Sequence, residues 1–329
     1  MTVFSRLRKR GAGLIPDRVL VTGANGFIGR HLLRPEDRAL VRIAGLYPHA
    51  VVGDLDDVRS LEQACTDIST VIHCAGFAHE AAGLQSERHW QINFQGTQNI
   101  LLAAIAKGVR SFIFLSSVKA MAESGQACID ESWPGEPDSA YGQAKRAAEH
   151  AVLEAGAKHG LHVVNLRLAM VYGRGGRGNL ARMIDGIRAG WFPPLPETGN
   201  RRSLVHVDDV VSAIRQVATD PRANGQTYIV ADPIAYSGRQ IYDQIRAALG
   251  MPPRRWQIPR RLLRTAGQMG DLLGSCLQLA SPLNSAAVSR LLDSAWFSPE
   301  RIGREIGWHA QVGLTEGIER TLRPQGRVA

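Results

Sequence analysis

The sequence predicts an α/β fold: a doubly wound parallel sheet covered by helices on both faces, with a smaller, mostly helical lobe. Three observations carry this. Short β-branched runs alternate with segments of helical period. The strand runs are apolar on both faces, as in strands of a sheet buried from both sides. The alternation then stops after Tyr172, where a Gly/Arg-rich loop (Gly173 to Gly178) and a proline cluster (Pro193, Pro194, Pro196) take over. At 329 residues with 44% hydrophobic content, the chain can bury a full core.

The first strand, Val19-Leu-Val-Thr22, stops at a glycine, and the apolar positions from Phe27 onward suit a helix. Further strands are expected at Ala39 to Ile43, Val51-Val52, Val71 to His73, Ser111 to Leu115, Val163 to Leu168 and Thr227 to Val230. Between them, helical period marks Leu61 to Thr66, Trp90 to Lys107, Ala140 to Ala157 and Asp208 to Ala218. The later lobe carries helices near Ser237 to Leu249 and Leu262 to Ala280. In the last of these, Leu262, Ala266, Met269, Leu272, Leu273, Cys276 and Leu277 recur at i+3/i+4 and form one apolar face, read as core packing or a dimer face, with membrane-surface contact as the alternative.

No apolar run reaches the roughly 18 residues of a membrane span, so a soluble, cytoplasmic protein is expected. The basic start, with Arg6, Arg8, Lys9 and Arg10, reads as a solvated tail, with weak membrane-surface contact as its other reading. Cys65, Cys74, Cys128 and Cys276 show no C-x-x-C pair and no metal-ligand spacing, so reduced core thiols and no metal are expected. The net charge of +9 comes from 34 Arg and 5 Lys against 30 acids. The arginines are scattered, without a basic stripe interleaved with aromatics, so a phosphorylated small molecule fits better than nucleic acid.

Gly23-Ala-Asn25-Gly26-Phe27-Ile28-Gly29 follows the first strand and opens the first helix. In that context Gly23 permits a tight turn, Gly26 lets backbone approach a pyrophosphate, and Gly29 lets helix and strand pack closely. A dinucleotide cofactor and a Rossmann sheet are therefore expected. NAD enzymes place an acid at the end of the second strand; here the strand Ala39-Leu-Val-Arg42 ends in Arg42, whose charge suits a 2′-phosphate and favours NADP over NAD. Only a short segment, including Pro35, separates Gly29 from that strand, which shifts the alignment readily and leaves little more than two helical turns. Asp54-Leu55, after Val51-Val52-Gly53, is a second candidate cofactor contact, although a solvated loop aspartate satisfies the same spacing. The expected organisation is a basic tail over 1–17, a dinucleotide-binding domain over 18–172 with 204–231 returning to it, a substrate-binding lobe of 173–203 and 232–322, and a tail over 323–329.

Tyr141-Gly-Gln-Ala-Lys145 has the i, i+4 spacing that puts a phenol and an ammonium on one helical face, after an N-cap in Pro137-Asp138-Ser139. A phenol of pKa ~10 is a poor base at neutral pH; a neighbouring lysine charge and an oxidised nicotinamide bring it toward working range. With 6 Tyr and 5 Lys in the chain, chance yields such a pair about 0.1 times. Ser116 and Ser117 close the strand from Ser111, at the sheet edge where α/β ligands bind, and one hydroxyl there can hold a substrate oxygen beside the phenol.

Together these motifs resemble the extended short-chain dehydrogenase/reductases, and within them the NAD-dependent epimerase/dehydratase branch acting on nucleotide sugars. The resemblance runs from Val19 to about Leu322. It implies a cofactor site of Gly23, Gly26 and Gly29 with Asp54-Leu55 at the adenine and Cys74-Ala75-Gly76 along the ribose. Ser117, Tyr141 and Lys145 would be catalytic, supported by Asn93 of Asn93-Phe-Gln-Gly96-Thr97. Asn179 and Arg202 would hold the nucleotide diphosphate, and Ile306-Gly307-Trp308 matches a structural closing signature. It further implies a homodimer through the helices following Asn93 and Tyr141.

Two departures bear on the reaction. Ala169 stands where relatives usually carry proline, and Ser117-Val-Lys-Ala-Met121 lacks the Asp-Glu pair with which 4,6-dehydratases eliminate water. The resemblance therefore implies a UDP-sugar 4-epimerase or 4-keto-sugar reductase of surface polysaccharide assembly. The alternatives are a 4-epimerase of a polyprenyl-diphosphate-linked sugar and a non-catalytic NADP-binding sensor or scaffold.

Overall fold

A computed structural model describes residues 18–45, 47–78, 86–121, 125–277 and 284–323. The tail over 1–17 and most of that over 323–329 lie outside the described residues, as do the side chains of Cys276 and Leu277 and the chain over 278–280 in the expected helix to Ala280.

The strands are β1 (Val19–Thr22), β2 (Arg38–Val41), β3 (Ala50–Val52), β4 (Thr70–His73), β5 (Ser111–Ser117), β6 (Cys128–Ile129), β7 (His162–Leu168), β8 (Met170–Tyr172), β9 (Leu204–His206), β10 (Gln226–Val230) and β11 (Trp296–Phe297). The helices are α1 (Phe27–Leu32), α2 (Val58–Cys65), α3 (Ser86–His89), α4 (Gly96–Ala106), α5 (Ala140–His159), α6 (Asn179–Arg188), α7 (Val207–Thr219), α8 (Gly238–Ala248), α9 (Arg260–Leu277), α10 (Ser285–Leu292), α11 (Glu300–Ile306) and α12 (Leu314–Leu322). A π-helical turn, Trp90–Gln95, joins α3 to α4.

Seven strands form one parallel sheet in the order β10-β7-β5-β4-β1-β2-β3. Strand order reverses between β1 and β4, the switch point at whose carboxyl ends open α/β sheets bind ligands. The β1–β2 crossover is completed within the short segment the sequence provides. α1 spans six residues, and the turn after it is closed by Asp37, whose carboxylate accepts the Arg34 N–H at 2.9 Å. β2 ends at Val41 instead of continuing to Ile43, because β3 pairs only with Ala39 to Val41; Ile43 is left exposed.

The chain divides into two compact units. The first comprises Met1–Leu115, Ala144–Asn165 and Val217–Gln226, with a core that includes Leu20, Leu61, Ile100, Phe112, Phe114 and Val152. The second comprises Ser116–Gln143, Leu166–Gln216 and Thr227–Ala329, with a core around Tyr172, Ile187, Leu204, Tyr242 and Ile318. In this unit the Ala169 N–H donates to Val230 O at 3.1 Å, a bond that proline could not make. Gly307 ends α11 with φ +76°, and Trp308 behind it is buried with its indole N–H on Ser212.

Two expectations need correcting. Cys65 is buried, but Cys128 is exposed, because β6 pairs only with the two residues of β11 and turns its first side chain outward. The apolar face of α9 is not core either. That helix packs on α10 through Leu263 and Gly267, where the missing side chain of Gly267 admits Val288 and Ser285, and it leaves Leu262, Met269, Leu272 and Leu273 exposed.

Candidate active site

The glycine loop is shaped by three close backbone approaches. Gly23 turns with φ +66°, and a Cβ there would lie 2.7 Å from Ala75 N. The Gly26 N–H donates to Gly23 O at 2.8 Å, and a Cβ on Gly26 would lie 2.9 Å from that oxygen. A Cβ on Gly29 would fall on Gly23 O. Asn25 is exposed, Phe27 and Ile28 are half-buried, and no side chain caps α1. A helix start left open in this way suits a phosphate.

Register places the other candidate cofactor contacts at the same edge. Thr22 pairs with Leu40 and with His73, so Arg42, exposed just past β2, and Cys74-Ala75-Gly76, just past β4, stand beside the loop. Tyr47 Oη donates to Ala24 O at 3.2 Å. Asp54 is exposed and accepts the Asp56 N–H at 3.1 Å. Leu55 lies against Gly96, and its carbonyl accepts from Asn99 Nδ2 at 2.8 Å.

Beneath this edge runs a buried polar chain that the sequence did not reveal. His73 Nδ1 is 2.7 Å from Thr22 Oγ1 and Nε2 is 3.0 Å from Thr97 Oγ1. The Thr97 hydroxyl donates to Asn93 O at 2.8 Å, so it must accept from His73 Nε2–H. His73 Nδ1 therefore accepts, and the Thr22 hydroxyl supplies that proton while accepting the Ala75 N–H at 3.1 Å. Every donor then has one direction. Burial pushes the imidazole down to about 3, and the Lys145 charge pushes the same way, so His73 stays neutral.

Asn93 is fully buried in the π-helical turn, where its amide clamps the Phe77 backbone, Oδ1 accepting N–H at 2.8 Å and Nδ2 donating to the carbonyl at 2.9 Å. A Cβ on Gly76 would lie 3.1 Å from Asn93 Oδ1 and 3.4 Å from Lys145 Nζ, so the three groups converge. Lys145 is buried on α5; Nζ donates to Leu115 O at 2.8 Å and stands 4.6 Å over the Phe114 ring. Desolvation pulls its ammonium down to about 8, opposed by Glu149 and Cys74. The Cys74 thiol is pushed up to about 12 by burial, against the pull of Lys145, so it stays a thiol.

In the second unit, Ser117 Oγ accepts the Lys119 N–H at 3.2 Å and so caps the single 3₁₀ turn Val118–Ala120. Ser116 before it is buried. Ser139 Oγ accepts the Gly142 N–H at 3.1 Å, the expected N-cap. Gly142 has no room for a Cβ, which would fall on Lys119 O, so the start of α5 is seated against the turn that follows Ser117. Tyr141, half-buried, precedes that glycine, and Lys145 follows one helical turn later on the same helix. Asn179 is exposed at the first position of α6. Arg202 bridges Tyr236 and Ala295 by its backbone, and its Nη1 donates to Asp293 O at 2.9 Å.

Comparison with known proteins agrees with this architecture. A sequence model of the NAD dependent epimerase/dehydratase family matches residues 19–231. The chain is 28% identical to a UDP-glucose 4-epimerase of Vibrio cholerae, over 94% of this chain and 95% of that protein. It is 26% identical to an N-acetyl-alpha-D-glucosaminyl-diphospho-ditrans,octacis-undecaprenol 4-epimerase of Escherichia coli O157:H7, over 93% and 95%. Among solved structures, MoeE5 in complex with UDP-glucuronic acid and NAD superposes with a TM-score of 0.73 at 25% identity, over 92% of this chain and 97% of that one.

Proposed function

The chain belongs to the NAD dependent epimerase/dehydratase family, the NAD(P)-dependent enzymes of the extended short-chain dehydrogenase/reductase type, and from that premise we propose that it transfers hydride at C4 of a nucleotide-activated hexose, as a UDP-sugar 4-epimerase or 4-keto-sugar reductase of surface polysaccharide assembly. The observation that carries the reading is the buried Lys145 ammonium, held on Leu115 O one residue before Ser116-Ser117 and one helical turn from Tyr141.

A nicotinamide, when bound, accepts and returns the hydride. The loop of Gly23, Gly26 and Gly29 fits its pyrophosphate because the crowded side of each glycine leaves no space for a Cβ. Asn25, Phe27 and Ile28 border that cradle, Asp54-Leu55 meets the adenine, and Cys74-Ala75-Gly76 lines the ribose. Arg42 at the carboxyl edge favours a 2′-phosphate and hence NADP. When the C4–H bond of a sugar alcohol breaks, Tyr141 takes the hydroxyl proton, Ser117 Oγ holds the oxygen beside it, and Lys145 stabilises the phenolate. Asn93 fixes the backbone that faces Lys145. Ser116, Asn179 and Arg202 complete the substrate side, with the diphosphate assigned to the last two.

Denatured protein should release one nicotinamide species, and its identity separates the two chemistries: retained NAD with sugar isomerisation marks the epimerase, and consumption of added NADPH marks the reductase. Replacing Tyr141 with Phe should lower turnover of a UDP-hexose by at least about a hundredfold while cofactor stays bound. Unchanged turnover would sink the assignment. A second reading, a polyprenyl-diphosphate-linked sugar as substrate, is supported by the exposed apolar face of α9 and by the activity named for the Escherichia coli relative.

A further inference from the structure

We propose that helix α9 is a membrane-docking element that lays its exposed apolar face on a bilayer surface rich in anionic lipid. The helix has three faces. Leu263 and Gly267 are buried toward α10, and Gly270 is buried on the same side of the helix. Arg260, Arg264, Gln268 and Asp271 form the polar face, where Arg260 and Arg264 reach Asp293 and Asp271 accepts the Ser285 N–H. The third face carries Leu262, Met269 and Leu273, with Leu272 beside them, and these are 59%, 58%, 55% and 65% exposed. Trp256, 56% exposed, precedes the helix. An apolar stripe with exposed arginines at its start, Arg254, Arg255 and Arg261, and an aromatic at the same end is the arrangement of helices that lie in a membrane interface.

Charge decides between occupants of this face. Over 251–277 the chain has five arginines, Arg254, Arg255, Arg260, Arg261 and Arg264, against one acid, Asp271; Asp293 pairs with Arg260 and Arg264, which leaves Arg254, Arg255 and Arg261 as the cationic excess, all exposed. Two of the five open the helix, and its first turn holds no acid. Arg260 is accounted for by its pair with Asp293, whereas the positive end of a helix disfavours a cation at Arg261, so helix stability does not account for that one. A second copy docked through the same face would bring the same cationic cluster against itself, because a two-fold interface pairs like with like. An anionic lipid surface supplies the opposite charge and an acyl boundary for the leucines. No helix among the described residues is long and apolar enough to cross a membrane, so the contact is peripheral.

The test is sedimentation of the full chain with vesicles of phosphatidylcholine containing about one third phosphatidylglycerol, against phosphatidylcholine alone. The wild type should co-sediment with the anionic vesicles and be released by salt. Leu262→Gln with Leu273→Gln, both surface changes, should lower the partition coefficient by at least about tenfold. Arg254→Gln, Arg255→Gln and Arg261→Gln together should lower it as much and flatten its salt dependence. Three results overturn the proposal: wild type left in the supernatant, either variant binding as the wild type does, or light scattering showing a dimer that the leucine variant dissolves while vesicles bind neither protein.

Discussion

Lys145 is a buried cation held where burial opposes its charge, and its ammonium is drawn from 10.5 down to about 8. Between about pH 8 and 10.5 the unfolded chain binds a proton at this position that the folded chain has lost, so stability rises with pH across that window. Below it, the cost of the buried charge is fully present. Replacing Lys145 with Met should therefore raise the unfolding free energy at pH 7 by about 1–3 kcal/mol, reduced by the loss of the bond to Leu115 O. The same change should abolish turnover. Denaturant melts at pH 7 and above pH 10 check this, because the gain must shrink at the higher pH. His73 behaves oppositely on substitution. With its ring pulled from 6.5 to about 3, the unfolded chain gains a proton between those values that the folded chain refuses, so stability falls as pH drops below about 6.5. Replacing His73 with Phe leaves Thr22 and Thr97 without their shared partner and should cost about 2–3 kcal/mol at pH 7. That deficit should narrow toward pH 4, where the wild type has already lost part of its advantage. The tight glycine turn and the placing of Tyr141 and Lys145 one turn apart on a helix were legible in the sequence because short spacing determines both. The His73 chain was not, because its partners stand 51 and 24 residues away and meet only when β1, β4 and α4 are assembled.

At the scale of elements, what was readable depended on whether period alone determines the outcome. β1 and the end of β7 matched expectation because an apolar run ending in a turn signal has one interpretation in this alternation. α9 was recognised as a helix, but of the readings of its apolar stripe as core packing, a dimer face or a membrane-surface contact, the structure overturns core packing. A stripe of leucines reads the same whether it meets a core or faces outward, and the face that packs on α10 carries Gly267, which registers in no apolar pattern. Small residues also control α5. Gly142 seats the start of that helix against Lys119 O, with no space for a methyl group. Gly142→Ala should push Tyr141 away from the Ser117 turn, lowering kcat by about tenfold or more with a stability loss of about 1–3 kcal/mol. Measuring kcat and the urea midpoint on the same preparation separates displacement from unfolding. A variant with wild-type kcat would show that the turn yields and the pair is not held by this contact.

For the whole molecule, the fold class followed from alternation of strand and helix, which survives errors of a few residues at every boundary. The division into two units had no such signal. Its breaks fall inside β5, α5, β7, α7 and β10, where a continuous strand or helix passes from one unit to the other. A linker has a composition to read, whereas a break within a strand has none. Cofactor preference is also expressed by the whole chain, through linkage between binding and stability. A ligand held only by the folded state at about 100 times its Kd adds about 2.7 kcal/mol, which moves the melting temperature by several degrees. If the exposed Arg42 reads a 2′-phosphate, NADP must raise the melting temperature more than equimolar NAD. Arg42→Asp must reverse the order, because a carboxylate there repels the phosphate and can accept from ribose hydroxyls. Equal shifts in the wild type, or an order unchanged by the substitution, would move the 2′-phosphate contact away from Arg42. The role proposed for the glycine loop would be untouched by that outcome, since the pyrophosphate it is proposed to hold is common to both cofactors.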